Sequence, residues 1–399
     1  MQREYDHSKC PTSRRLLCRP LLRGWTDPAG RPSGFPSCRH RVLYRWGRVS
    51  SPSPLCDCHA HLDKTTLGLD WIKNEVKPGL VNLIANEREH RIAWGLDPYR
   101  QAVRHIRSSL GYGVLAMRSH IDVDTQHGLS LLEGALAARE EYKDLFHLQL
   151  VAFPQSGLVS RPGTYELMDQ ALAMGADLVG GVDPSALDRD SKGCLDAIFA
   201  LAQKHGKPVD IHLHEPAELG AYDMEEIIQR TEALGMQGKV AISHAFCLGA
   251  PIPGLVPPLL EKLARADITI ITCGQPQLAT FPHIQELAAA GVKTACGNDN
   301  IQDLWSHFGT PDMLQRASLI AMKNLCRNDS ELDLVLDLCT RSGAQLLGLE
   351  SWEPLPGGPA DFLLVKGSCP AQCVAQPPVE RMVFRRGCLI AKDCRLLDC

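Results

Sequence analysis

The stretch "CDCHAHLDK", Cys56 to Lys64, closes a short apolar run with two histidines at alternate positions. On a β-strand, residues i and i+2 project to the same side. His59 and His61 would therefore converge on one point. Two convergent neutral imidazoles suit a metal ion, but an isolated His-x-His pair is common and more often structural. What decides between the two is whether further ligands reach the same place.

Working outward from this stretch, short apolar runs alternate with amphipathic ones. The strand-like runs are "PLCDCHAH", "GVLAMRSHIDV", "HLQLVAFPQ" (147–155), "ADLVGGVD" (176–183), "PVDIHLHE" (208–215), "VAISHAF" (240–246), "ITIITCG" (268–274) and "VKTACGND" (292–299). They are nearly continuously apolar, as expected of parallel strands buried on both faces. Between them the pattern predicts helices, among them 130–142, 164–175, 194–206 and 225–235, several ending at a glycine. Eight such β–α units in about 250 residues predict an α/β fold, a (β/α)8 TIM barrel over 55–345. An open doubly wound sheet would bring a Gly-rich phosphate turn after the first strand, and none follows it. The runs "ADFLLV", "ERMVFRRG" and "CLIAK" predict a small β-sandwich part over 346–399.

Active sites of such barrels lie at the C-terminal ends of the strands, so the polar residue closing each run matters. The first run closes with His59 and His61, the fifth with His212, His214 and Glu215, the sixth with His244 and the eighth with Asp299. Each alone reads as a core or capping residue. Three imidazoles and a carboxylate at one mouth read as a site for Zn²⁺ or Fe²⁺.

Charge and composition narrow the partners. The 399 residues are 44% hydrophobic and 22% charged, with a formal net charge of −4. This favours neither nucleic acid nor an acidic membrane surface. No run of about 18 apolar residues predicts a membrane span. Sixteen scattered cysteines without an apolar leader read as reduced thiols of a cytoplasmic protein, and "CPAQC" at 369–373 as incidental. Residues 1–50 differ, with ten arginines and one lysine against Glu4, Asp6 and Asp27, a net of +8. They show no lasting helical or strand period and read as a poorly ordered tail, with an organelle-targeting peptide as the alternative, so they offer no strands to a sandwich. The sandwich would then be incomplete, with apolar surface on its C-terminal strands uncovered.

The set of strand-end residues resembles the amidohydrolase superfamily. It is most similar to the cytosine-deaminase-like branch through "HAHLDKT" (59–65), "RSHIDVD" (118–124), "LQLVAFPQSG" (148–157), "GADLVGG" (175–181), "DIHLHE" (210–215), "ISHA" (242–245) and "GNDNIQDLW" (297–305). The resemblance implies His59, His61, His212 and Asp299 as metal ligands. It implies Glu215 as proton shuttle, with His244 and Asp299 completing the catalytic set. It implies Gln155 and Trp305 as substrate contacts, to which His214 and Asn300 are added as pocket residues. Binuclear members carry a bridging lysine after strand four. None closes "ADLVGGVD", so one divalent ion is implied, and Lys64 is left as a loop ion pair. His120 reads equally as pocket or core, and His105, His147, His205, His283 and His307 as surface or loop residues.

The implied reaction is hydrolytic deamination of a small nitrogen heterocycle such as a pyrimidine, triazine or pterin. A bound divalent ion lowers the pKa of water to roughly 7, and Glu215 would carry protons. Asn300 stands where close cytosine deaminases have an acid, and Asn298 where they have histidine, which argues against cytosine itself. The alternatives are a cyclic amide hydrolase of the same superfamily, or a catalytically impaired barrel that only binds. A nucleic-acid deaminase lacks its Pro-Cys-x-x-Cys signature here. A small heterocyclic substrate is the expected partner, and a homo-oligomer is compatible with the sequence.

Overall fold

The computed structural model describes residues 49–50, 53–275, 279–349, 352 and 358–397. The basic amino-terminal segment, apart from Val49–Ser50, lies outside the described residues. That pair forms a short strand, β1.

Eight parallel strands follow: β2 (Leu55–Ala60), β3 (Val114–Asp122), β4 (His147–Phe153), β5 (Leu178–Val182), β6 (Val209–His212), β7 (Val240–Ser243), β8 (Thr269–Thr272) and β9 (Thr294–Cys296). They hydrogen-bond in sequence order, β2 to β9. A parallel bridge between Ala60 and Asp299 joins the two ends, where the Asp299 N–H donates to the His59 carbonyl at 2.7 Å. The expected TIM barrel is thus the fold of this chain. Every residue of β2 and β3 is buried, which explains why those runs lack a polar face.

Gly297 permits the closure of the barrel. A Cβ there would lie 2.3 Å from His59 N and 2.5 Å from His59 Cβ, so only glycine lets the end of β9 approach β2 this closely. Beneath the closure, Asp57 Oδ1 accepts from Asn298 N at 3.0 Å and its Oδ2 from Asn298 Nδ2 at 2.8 Å. The Asn298 side chain is therefore spent on the barrel floor.

Helices fill the crossovers. Ser130–Tyr142 spans the predicted range, and Thr164–Met174 and Ser191–His205 end at Gly175 and Gly206 as the glycine signal implies. Ala217–Ala233 starts eight residues before the predicted 225. Its first two turns hold exposed Leu219 and Tyr222, which blur the apolar stripe. The helix Pro98–Tyr112 is capped by the Asp97 side chain, with Pro98 in its first turn. Its His105 corrects the surface assignment made above: it is fully buried, and burial lowers its pKa to about 4.

After the barrel, β10 (Phe362–Lys366), β11 (Arg381–Arg385), β12 (Cys388–Lys392) and β13 (Arg395–Leu396) form an antiparallel sheet in the order β1-β10-β11-β12-β13. The helix Pro370–Ala375 lies between β10 and β11, so "CPAQC" is a helix start. The expected uncovered apolar surface is not observed at Leu363, Val365, Val383, Ile390 and Ala391. These are buried in one core with Ala102, Ile106 and Leu110 of the helix Pro98–Tyr112. The barrel covers the sheet, because the apolar positions of β10–β12 face it.

Candidate metal centre

Three strand ends, those of β2, β6 and β9, deliver the donors to the mouth. His59 is the fifth residue of β2, and His61 follows the strand, so both point inward as the i, i+2 spacing requires. His212 ends β6. Asp299 reaches the same point through the bridge to Ala60. Asp299 Oδ1 lies 3.6 Å from His59 Nε2 and 3.3 Å from His61 Nε2. His61 Nε2 is 3.4 Å from His212 Nε2.

All four side chains are buried. Burial drives the imidazoles of His61 and His212 well below their ordinary pKa, so both are neutral lone-pair donors. Burial alone would raise Asp299, but the His59 and His61 imidazoles outweigh it and hold the carboxyl well below the usual range. His59 Nε2 is buried with no hydrogen-bond partner among the described residues. Imidazoles crowded around a carboxylate, with an orphaned nitrogen among them, fit a metal ion. His120 belongs to the same imidazole cluster, and Cys273 lies beside His59 and Asp299.

Glu215, three residues beyond β6, holds its Oε1 against the Ala186 N–H at 2.6 Å, while Oε2 is unpartnered among the described residues. Burial, then Asp183 and Asp223, push its carboxyl up to about 9, so it is protonated at neutral pH. His244 follows β7 with both ring nitrogens unpartnered among the described residues. Its ring stacks on His214 at 4.3 Å. The Nδ1 of His214 lies 2.8 Å from Asp183 Oδ2. His244, Asp299 and Asp183 all have positive φ (70°, 63° and 37°). Such backbone in non-glycine residues is rare and collects at functional rims.

A family model, "Amidohydrolase family", matches residues 48–379. The chain belongs to the amidohydrolase family. It is 31% identical over 359 residues to N-isopropylammelide isopropyl amidohydrolase of Pseudomonas sp. strain ADP, covering 87% of each chain. The crystal structure of N-isopropylammelide isopropylaminohydrolase from Burkholderia multivorans superposes with a TM-score of 0.83 at 39% identity, over 87% of this chain and 88% of that one. 5-Methylcytosine deaminase from Klebsiella pneumoniae superposes with a TM-score of 0.76 at 26% identity, over 88% and 87%. As an amidohydrolase, this protein is an enzyme that hydrolyses carbon–nitrogen bonds.

In this amidohydrolase the expected pocket residues sit around the mouth in different states. The amide of Gln155 is engaged: Oε1 accepts from Lys64 Nζ at 2.6 Å, and Nε2 donates to Glu87 and Asp122 at 3.0 and 3.1 Å. Lys64 is a buried ion pair, 3.0 Å from Asp122 and 3.5 Å from Glu87. Trp305 is half-buried, donating Nε1–H to Glu87. Asn300 donates to Asp303, whose carboxyl burial pushes up to about 7.

Sequence reasoning missed Glu87, on the helix Leu80–Ala93, which joins Lys64, Gln155 and Trp305. It missed Gln275, which donates to Asp299 Oδ2. It also missed Asp210 and Ser243: Ser243 Oγ is 2.8 Å from His59 Nδ1 and donates to Asp210 Oδ1 at 2.8 Å. No pattern in the sequence marks these. Glu87 lies on a helix, Gln275 in a loop, and Asp210 and Ser243 inside apolar strands, where the parallel pairing of β6 with β7 sets Asp210 and Ser243 side by side.

Proposed function

We propose that this enzyme deaminates, or removes an alkylamine from, a small nitrogen heterocycle by hydrolysis at a mononuclear centre of Zn²⁺ or Fe²⁺. The observation that carries the reading is the convergence of His59, His61 and His212 on Asp299. These four would hold the ion. When bound, the ion lowers the pKa of water toward roughly 7 and so makes hydroxide available at neutral pH.

The remaining steps belong to the chain. Glu215, neutral at pH 7, hands its proton to the ring nitrogen beside the attacked carbon and makes that carbon more electrophilic. It then takes a proton from the attacking water and passes it to the leaving amine. His244, with both ring nitrogens free of partners among the described residues, and Asp299 steady the proton of the attacking oxygen. Gln155, with His214 and Asn300, reads the polar edge of the ring, and Trp305 forms a wall.

Support for a single ion comes from the end of β5. No lysine stands there, and Asp183 is engaged with His214. Support for the substrate class comes from the two N-isopropylammelide hydrolases and the 5-methylcytosine deaminase to which the chain is similar. Amine release from a panel of aminotriazines, N-alkylaminotriazines, pterins and aminopyrimidines, measured with metal-loaded protein, tests the reading. The expected result is turnover of at least one, reduced on the order of 10²–10⁴-fold by Glu215→Gln. Metal-loaded protein that opens a cyclic amide but releases no amine would contradict it.

A further inference from the structure

The floor of the barrel holds a polar chain that the reaction above does not use. His59 Nδ1 lies 2.8 Å from Ser243 Oγ. Ser243 Oγ lies 2.8 Å from Asp210 Oδ1. Asp210 Oδ2 accepts from Arg118 NH1 at 2.9 Å, and His120 Nε2 stands 3.5 Å from Asp210 Oδ1. Arg118, Asp210, Ser243 and His59 come from four strands, β3, β6, β7 and β2, and all are buried.

A serine hydroxyl has one proton. Asp210, paired with Arg118, accepts, so that proton goes to Asp210. Ser243 Oγ must then accept from His59, which fixes the proton on His59 Nδ1 and leaves Nε2 as a lone pair facing Asp299 and His61. We infer that Asp210 and Ser243 are positioning residues that set the tautomer of His59 for metal binding, with Arg118 fixing the direction of the chain. This rests on the metal reading above. Partners of this kind orient a ligating histidine and raise its basicity, and their loss typically costs 10–100-fold in metal affinity.

The direction of the chain makes two variants behave differently. Ser243→Ala removes the acceptor and leaves His59 free to take either tautomer. In Asp210→Asn, Arg118 still demands an acceptor, so the amide oxygen faces Arg118 and the NH2 faces Ser243. The serine proton then turns to His59 Nδ1, and the His59 proton moves to Nε2, the coordinating nitrogen. Asp210→Asn should therefore be the worse metal binder, although it is the closer isostere.

The test is Zn²⁺ affinity of the full-length apo-protein by chelator competition, with its thermal midpoint as folding control and imidazole ¹⁵N shifts as tautomer readout. The expected result is a 10–100-fold loss for Ser243→Ala, a larger loss for Asp210→Asn, and a His59 protonated at Nδ1 in the wild type. Ser243→Ala within twofold of wild type, or Asp210→Asn binding Zn²⁺ more tightly than Ser243→Ala, would overturn the inference while leaving the metal reading intact. Should Asp210→Asn not fold, Ser243→Ala, which removes only a hydroxyl, decides alone. A wild type that binds no Zn²⁺ would defeat both.

Discussion

Glu215 shows how much one residue's surroundings decide. A free glutamate would be ionised at neutral pH, but burial beside Asp183 and Asp223 raises this one from 4.5 to about 9. The folded-state value lies above the unfolded one, so between pH 4.5 and about 9 the unfolded chain has released a proton that the folded chain retains. Stability therefore falls as pH rises through that window. Thermal melts of apo-protein should show this decline in the wild type and a shallower one in Glu215→Gln, which cannot ionise. Parallel pH–stability curves for the two would contradict the assignment. If Glu215 carries protons as proposed, kcat of metal-loaded protein should fall on the alkaline side, and a pH–rate profile without that limb would contradict the role.

At the scale of elements, the site depends on how closely β9 approaches β2. Gly297→Ala would drive a methyl group into the His59 backbone. Overpacking of this kind costs about 1–3 kcal/mol, and here it separates Asp299 from His59. Both the thermal midpoint and Zn²⁺ affinity should fall. A variant with a lower midpoint but unchanged affinity would show that the approach serves only the fold. The elements also show what the sequence made legible. His59, His61, His212 and Asp299 stand out as a set, because each closes an apolar run at the end of the barrel where such runs meet. The closing glycines of Ser191–His205 and Thr164–Met174 were readable because a left-handed or open backbone favours glycine there. Ser243 and Asp210 were not readable, since their function exists only in the parallel register that sets His212 opposite Ser243. His105 was misread because one histidine on a helix gives no sign of which face it occupies.

For the molecule as a whole, the carboxy-terminal sheet is held to the barrel by a buried ion pair as well as by apolar packing. Arg381 on β11 binds both carboxylate oxygens of Asp312 at 3.0 and 2.9 Å and donates to the Tyr112 carbonyl at 3.0 Å. Asp312 also caps the helix Met313–Lys323 through Leu314 N. Arg381→Ala leaves Asp312 buried without its cation, a change that costs about 3–5 kcal/mol. Denaturant unfolding should register that loss, while kcat of the folded fraction stays near wild type, because neither residue touches the mouth. A large fall in kcat with unchanged stability would mean that the sheet acts on the site.

The most direct measurement is the metal content of purified full-length protein alongside His212→Ala and Asp299→Ala, by elemental analysis after dialysis. A mononuclear centre predicts close to one equivalent of Zn²⁺ or Fe²⁺ per chain in the wild type and a small fraction of that in either variant. Wild-type protein free of divalent metal, or variants that retain it in full, would contradict the account.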